Sequence, residues 1–347
     1  MTAVAGGNPF PLDARLMEVE LERGLAVSGL GAADLAADGA AAVTVVDVSG
    51  PEEEVARALW EAASTLGFFI VVGHGFPQEL TDRAFEISRQ FFAQRREDKE
   101  GQSPHSSELN SGFEFKTQVR PSTGLPDNKE SMQVTASSVA MQDRWPTEPK
   151  DFEPTAREFI SSAHALASRL LNLLQRHARP DLDPGHISAA HTLWGAQGQC
   201  TLRMLHYPPV TADDVAKLGP GTWRAGAHTD WDCLTLLFQR PGEAGLECAA
   251  NPRSDRPGAG RWIPVEYVEG GIAINVGDML SRWTDAALLS NLHRVRMPTP
   301  AECSNESNGR YSLAFFMQAD REALIQTEPP LTAGEFILGR LRSNFSE

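Results

Sequence analysis

The chemistry legible in this sequence rests on two pairs of residues and one further histidine. The first pair is His228 and Asp230, in the run Ala227-His228-Thr229-Asp230. On a strand, residues i and i+2 face the same way. His228 and Asp230 can therefore bind one ion together while Thr229 points away. The further histidine is His293, in Leu292-His293-Arg294-Val295. Two imidazoles and one carboxylate on one side of a metal leave three adjacent positions open. That donor set suits non-haem Fe(II) that must accept O2 and an organic chelator. Taken alone, His-x-Asp is a weak signal, and a lone strand histidine is commonly a satisfied core residue. The second pair, Arg310 and Ser312, begins seventeen residues after His293 and enters the apolar run Leu313–Phe316. A guanidinium and a hydroxyl on one inward face form a carboxylate receptor. By itself Arg310 could equally sit on a solvated edge strand. Beside a metal triad the receptor is the stronger reading, because burying an arginine with no anion is costly.

These residues need a scaffold, and the second half of the chain supplies it. Short β-rich runs follow one another at Leu202–Tyr207, Leu234–Phe238, Leu246–Cys248, Trp262–Val265, Gly271–Val276, Leu292–Val295 and Ser312–Met317. Turn residues separate them, the pattern of a sandwich or barrel. The first half reads as more helical. A strand at Val43–Val48 is followed by a helix opening at Ser49 and Pro51, with Glu52–Glu54 in its first turn and Ala56, Leu59, Trp60, Ala63 and Leu66 at helical spacing. Phe68–Val72 is a buried strand, and Pro77 opens a second helix with Leu80, Phe85, Ile87, Phe91 and Phe92 on its core face. A long helix is expected over Asp151–Arg179. Between them, Gly101–Pro154 is polar and almost aperiodic, and is read as a functional loop. The organisation expected is an extension at 1–42 (with a short helix within Leu16–Leu30), a mixed region at 43–150, a long linking helix at 151–195, an all-β core at 196–322 and a helical segment at 323–347.

Composition narrows the function. The 347 residues include 31 basic and 46 acidic side chains, for a net charge of -15. A nucleic-acid binder would show a basic face, and an acidic chain is not drawn to an anionic membrane. No apolar run reaches the roughly 18 residues of a membrane span. A secretory signal is not expected, and Asp13, Glu18, Glu20 and Glu22 argue against a transit peptide. The cysteines, Cys200, Cys233, Cys248 and Cys303, form no C-x-x-C pair, so they read as idle or buried thiols in a reducing, cytoplasmic setting. Partners are expected to be small molecules, with no nucleic acid and no membrane, and the chain to be a monomer or weak homo-oligomer.

With these features in place the sequence resembles the Fe(II)/2-oxoglutarate-dependent oxygenases of the isopenicillin N synthase-like group. The resemblance runs through most of the chain. Val43-Thr-Val-Val-Asp47 is similar to the family's opening strand, and Gly67-Phe-Phe-Ile-Val-Val-Gly-His74-Gly75 to its most recognisable early stretch. Phe91-Phe92, Lys99 and Lys129-Glu130 are weaker markers, and Arg203-Met-Leu-His-Tyr207-Pro-Pro is similar to the strand leading into the core. His228-Thr-Asp230 followed by Leu234-Thr-Leu-Leu-Phe-Gln239 is highly specific. So are Gly245-Leu-Glu247, Asn275-Val-Gly-Asp278, His293-Arg-Val and Arg310-Tyr-Ser312.

The resemblance implies a mainly β fold with flanking helices: a double-stranded β-helix, or jelly roll, with a helical N-terminal region. It implies that His228, Asp230 and His293 bind Fe(II). It also implies that Arg310 and Ser312 bind the distal carboxylate of 2-oxoglutarate, with the Tyr207 hydroxyl added. Leu205 stands where the family often has Asn. The implied reaction uses O2, releases succinate and CO2, and oxidises a C–H bond of a small molecule by hydroxylation, desaturation or cyclisation. Members that work without 2-oxoglutarate, an ethylene-forming branch and a binding protein that has lost catalysis are the alternatives. A zinc hydrolase could use the triad but would leave Arg310 and Ser312 without a purpose. His74 and His206 are read as structural. Phe113, Phe115 and the helix around Phe336–Leu341 are candidate walls of the substrate pocket, with ordinary packing the favoured reading of each.

Overall fold

A computed structural model of the chain describes residues 42–117, 127–217, 222–249, 262–299, 302–304 and 309–345. The expected helix within Leu16–Leu30 lies outside them. In chain order the elements are β1 (Thr44–Asp47), α1 (Glu52–Thr65), β2 (Phe68–Val72), α2 (Gln78–Phe92), α3 (Arg96–Gln102), β3 (Gly112–Phe115), β4 (Glu130–Thr135), α4 (Phe152–Ala178) and α5 (His186–Ala189). There follow β5 (Thr201–Tyr207), α6 (Ala212–Lys217), β6 (Ala225–His228), β7 (Leu234–Phe238), β8 (Leu246–Ala249), β9 (Trp262–Pro264), β10 (Ile272–Val276), α7 (Asp278–Trp283) and β11 (His293–Val295). The chain ends with β12 (Arg310–Met317), β13 (Leu324–Gln326), β14 (Leu331–Thr332) and α8 (Ala333–Phe345).

Two sheets face each other. The larger has the strand order β1-β2-β10-β7-β12-β5-β4-β3, and the smaller β6-β11-β8-β9. Only β1 and β2 pair in parallel; the other pairs are antiparallel. Strand alternation then sorts side chains between two cores. From β2, Phe69 and Val71 pack outward with Leu59, Phe91 and the apolar face of α4, while Phe68 and Ile70 point between the sheets with Leu205, Leu246 and Val295. Phe68–Val72 is apolar at every position because both of its faces are covered, one by helices and one by the second sheet.

The first half is mainly helical, as expected, and it also contributes strands to the large sheet. Its strands β1 to β4 extend the large sheet at both edges, and β3 and β4 arise inside the polar stretch expected to be a loop. The segment after residue 322 likewise opens with the β13–β14 hairpin before its helix. Strand β4 is buried at all six positions although its sequence is Glu-Ser-Met-Gln-Val-Thr. Its polar groups are satisfied across strands: Ser131 Oγ donates to Glu114 Oε1 at 2.9 Å, and Gln133 Oε1 accepts from Arg203.

On the outer side of β4, Glu130 forms a buried ion pair with Lys99 of α3, Nζ to Oε2 2.6 Å, and also meets His206 Nδ1 at 2.7 Å. The sequence markers Lys99, Glu130 and His206 are thus one structural unit, and His206 stacks on Tyr311 with centroids 4.4 Å apart. Replacing Lys99 with methionine leaves Glu130 buried with only a partial counter-charge. The expected result is a loss of about 3 kcal/mol of folding free energy, the lower end for a broken buried pair. Urea denaturation measures it, and a change under about 1 kcal/mol would show that the pair behaves like a surface one. His74 is also structural: its Nε2 meets the Gly270 carbonyl at 3.0 Å and its Nδ1 accepts the Phe76 amide at 3.0 Å, pinning two loops together.

Candidate active site

Pairing of β6 with β11 creates the site. His228 and His293 are Cα partners in that ladder, so their rings meet on the inner face with centroids 4.2 Å apart. Asp230 lies two residues beyond His228, just past the end of the strand, and still turns to the same side. Its Oδ1 stands 3.9 Å from His228 Nε2 and 3.6 Å from His293 Nε2. The candidate ligand atoms of the three residues all fall within 4.8 Å of one another. Thr229 points the other way, its hydroxyl donating to Asp278 Oδ2 at 3.0 Å.

The surroundings prepare these atoms to accept a cation. His228 Nδ1 meets the Gly226 carbonyl at 2.7 Å, which places the ring proton there and turns the Nε2 lone pair to the site. His293 Nδ1 is directed at the Asn291 carbonyl, at 3.5 Å. Asp230 Oδ2 accepts from Thr235 Oγ1 at 2.6 Å and from Asn275 Nδ2 at 2.8 Å, so Oδ1 alone faces the imidazoles. Three acceptor atoms converge in a site where Asp230 is 7% exposed. Such an arrangement is costly unless a positive charge lies between them. The residues therefore fit a divalent metal with two nitrogen donors and one oxygen donor.

Asp232 completes this support. Burial, and then the charge of Asp230 beside it, push its carboxyl well above the usual carboxylate range. Protonated, it can donate to Thr235 across the 3.0 Å contact, while the Thr235 hydrogen goes to Asp230. Gly277 packs directly on the Asp232 backbone carbonyl, where any Cβ would collide, and the next amide, Asp278 N–H, donates to the Asp230 carbonyl at 2.8 Å. This is the physical content of the Asn275-Val-Gly-Asp278 motif. Thr235→Val removes one hydrogen bond that orients Asp230. The expected outcome is a loss of roughly tenfold in Fe(II) affinity, the lower end for an outer-shell partner. Anaerobic metal titration measures it, and unchanged affinity would remove Thr235 from the site.

The residues expected to receive a carboxylate lie in the same cavity. Arg310 pairs with Tyr207 and Ser312 with Leu205 across β12 and β5, and all four line the space beside the triad. Arg310 is 2% exposed. Its Nη1 donates to Ser312 Oγ at 3.2 Å, its Nε to the Glu243 carbonyl at 3.2 Å and its Nη2 to Gln239 Oε1 at 3.4 Å. All three are neutral acceptors. Among the described residues no carboxylate lies within ion-pairing distance of this guanidinium, which also stands over the Tyr207 ring, 5.2 Å from its centroid. Buried Arg224 is a second cation nearby, its charge opposed by desolvation and by Arg310. In a chain of net charge -15 the attraction for a dianion is therefore local, where low dielectric outweighs the screened surface. Leu205 contributes an apolar wall opposite Ser312.

Sequence reasoning thus places all six site residues around one cavity. It misses Arg224, and it leaves Arg203 and Lys129, which line the cavity, as motif letters without a role. The candidate walls follow the packing reading rather than the pocket one. Phe113 and Phe336 belong to the main core, and neither they nor Phe115 are among the described residues lining the cavity.

Comparisons with known proteins agree with this architecture. Residues 198–319 match the 2OG-Fe(II) oxygenase superfamily, and residues 43–155 match the N-terminal region described for the non-haem dioxygenase in morphine synthesis. The 2-oxoglutarate-dependent dioxygenase htyE of Aspergillus rugulosus is 30% identical over 291 residues, covering 78% of this chain and 83% of the relative. The 2-oxoglutarate-dependent dioxygenase caaD of Aspergillus niger is 29% identical over 304 residues, covering 85% and 87%. Among solved structures, a full-length Neurospora crassa protein in complex with alpha-KG and 5-formyluracil superposes with a TM-score of 0.72 at 25% identity, covering 89% of this chain and 99% of that one. The chain belongs to the 2-oxoglutarate–iron(II) oxygenase superfamily and has its jelly-roll core. It is a 2-oxoglutarate-dependent dioxygenase, an oxidoreductase using Fe(II), 2-oxoglutarate and O2. Among the described residues no helix is long and apolar enough to cross a membrane.

Proposed function

We propose that His228, Asp230 and His293 hold the Fe(II), that Arg310 and Ser312 receive the distal carboxylate of 2-oxoglutarate with the Tyr207 hydroxyl beside them, and that a small organic molecule is oxidised at an unactivated C–H bond. The observation that carries this reading is the pairing, in one cavity, of three convergent acceptors with a buried guanidinium held only by neutral groups among the described residues. The first needs a cation and the second an anion, and 2-oxoglutarate chelated to iron satisfies both. When bound, the iron supplies O2 activation coupled to decarboxylation of 2-oxoglutarate to succinate and CO2. The protein's share is to fix the metal's orientation through Gly226, Thr235 and Asn275, to hold the cosubstrate's far end at Arg310, and to keep the site dry. Phe68, Leu237, Leu246 and Val295 form the apolar side of the cavity.

Whether the product is hydroxylated, desaturated or cyclised depends on where the substrate carbon lies relative to the metal. The test is stoichiometric. Anaerobic protein loaded with Fe(II) and 2-oxoglutarate is exposed to O2 with candidate substrates, and succinate and oxidised product are measured together. One succinate per product is the expected result. Product formed equally without 2-oxoglutarate would overturn the reading in favour of an oxidase independent of that cosubstrate. Ethylene in the headspace would instead mark the branch that fragments 2-oxoglutarate.

A further inference from the structure

Strand β6 is irregular just where it delivers its histidine to the site. His293 of β11 pairs with His228 and Val295 with Ala225, so β6 takes three steps where β11 takes two. The extra residue makes a β-bulge. In a regular strand Ala225 and Ala227 would share one face and His228 would take the other. Here Ala225 packs between the sheets with Leu246 and Val295, whereas Ala227 packs on the far side with Trp262 and Leu292. His228 lines the cavity together with Ala225. The bulge is therefore what turns His228 inward.

A bulge takes backbone groups off the ladder, and a buried amide without a partner is costly. Gly226, inside the bulge, has both of its backbone groups engaged elsewhere. Its N–H donates to Asp127 Oδ1 at 2.9 Å, and its carbonyl meets His228 Nδ1 at 2.7 Å. Asp127 lies just before β4, 99 residues earlier in the chain than Gly226. It is buried, and its Oδ2 pairs with the buried Lys129 ammonium at 2.6 Å. Between them, the Asn128 amide is directed at the carbonyl of Trp223, at 3.4 Å, just ahead of β6. An ionised acceptor holds an amide more firmly than a neutral one. A continuous series of polar contacts thus runs from Lys129 through Asp127 and Gly226 to the imidazole of His228.

We propose that Asp127, seated by Lys129, is a positioning residue of the metal site: by holding the Gly226 amide it fixes the bulge that aims His228. The inference rests on the reading of His228 as a metal ligand given above. It also separates the tasks of two adjacent residues. Lys129 serves the strand that carries the ligand, while Glu130 serves Lys99 and His206.

The test reads metal binding rather than turnover, on the full chain under anaerobic conditions. Asp127→Ala is expected to weaken Fe(II) binding about 10- to 100-fold, the range for a group that supports a ligand from outside the coordination sphere. Asp127→Asn keeps a neutral acceptor for the Gly226 amide and should fall between that variant and the wild type. Its own loss of affinity decides the matter if the alanine variant does not fold. A purely structural residue would lower the melting temperature of the metal-free protein and leave the ligand as it was, so a second readout separates the two roles. Loaded with Co(II), the wild type should show two exchangeable imidazole N–H protons shifted by the paramagnetic ion, one from each histidine, and His228→Ala identifies the one it loses. In Asp127→Ala or Asp127→Asn that signal should move or exchange away while the His293 signal stays in place. Unchanged Fe(II) affinity in a folded variant, or lost affinity with both signals unmoved, overturns the proposal. Wild-type protein that binds no metal, or His228→Ala protein that keeps both signals, would instead overturn the ligand assignment on which it stands.

Discussion

Replacing His228 with alanine will cost more than about 100-fold in Fe(II) affinity, since outer-shell partners alone cost roughly 10- to 100-fold, and will leave the metal-free fold as stable as the wild type. The two halves of this expectation come from one geometry. His228 Nε2 is one of three acceptors converging on a point that a cation can fill. Without a metal their mutual repulsion is a cost that the alanine variant does not carry. With a metal, one of only two nitrogen donors is gone and Asp230 and His293 must hold the ion alone. The wild type should therefore gain thermal stability on adding Fe(II), in proportion to RT ln(1 + [metal]/Kd), and the variant should gain little. Melting curves with and without anaerobic Fe(II), together with measured iron content, decide it. A core histidine would behave in the opposite way, with a lower melting temperature and unaltered iron. Wild-type iron content in the variant would remove His228 from the site.

What was legible in the sequence had local causes. The Phe68–Val72 strand announced itself because two apolar cores cover it, and α4 because one face repeats at helical spacing over 27 residues. The convergence of His228 and Asp230 was legible because i and i+2 need only a strand-like geometry, and that relation survived although β6 stops at His228 and Asp230 lies beyond it. Strands β3 and β4 were hidden for a physical reason. Glu114, Ser131, Gln133 and Thr135 are buried polar residues whose partners stand on other strands, so their local composition is that of a loop while their environment is that of a core. The loop reading of Gly101–Pro154 failed on that point alone. Groups that act across long separations could not be read at all. Arg340 of α8 forms a buried ion pair with Asp278, the acceptor of the Thr229 hydroxyl, so the last helix braces the loop that carries the triad. Nothing near residue 340 in sequence announces that role. Arg203 was visible only as a motif letter, because Gln133, which accepts from it, stands seventy residues earlier.

Arg310→Met should weaken 2-oxoglutarate binding by about 2–5 kcal/mol, the cost of losing one partner of a buried charge pair, or roughly 30- to several-thousand-fold in Kd. Methionine preserves much of the side-chain volume, so the change isolates charge and hydrogen bonding from cavity formation. The structure adds a second, less obvious expectation. In the absence of cosubstrate the Arg310 guanidinium is buried against Ser312 Oγ, Gln239 Oε1 and the Glu243 carbonyl, at 3.2 to 3.4 Å, with no counter-ion among the described residues. Replacing a buried cation in that state by an apolar chain of similar length is close to neutral or stabilising. The apo variant should thus melt at or above the wild-type temperature, while the stabilisation that 2-oxoglutarate gives the iron-loaded wild type disappears. Fe(II) affinity measured without cosubstrate should not move, because Arg310 is not among the three converging acceptors. Arg310→Lys retains the charge but not the planar fork and should fall between the two. Calorimetric titration of 2-oxoglutarate into the anaerobic Fe(II) protein gives the affinity, and melting curves give the rest. An unchanged Kd would show that the carboxylate is received elsewhere. A large loss of apo stability with an unchanged Kd would make Arg310 a structural residue, and Arg224, the other buried cation beside it, the next candidate for the receptor.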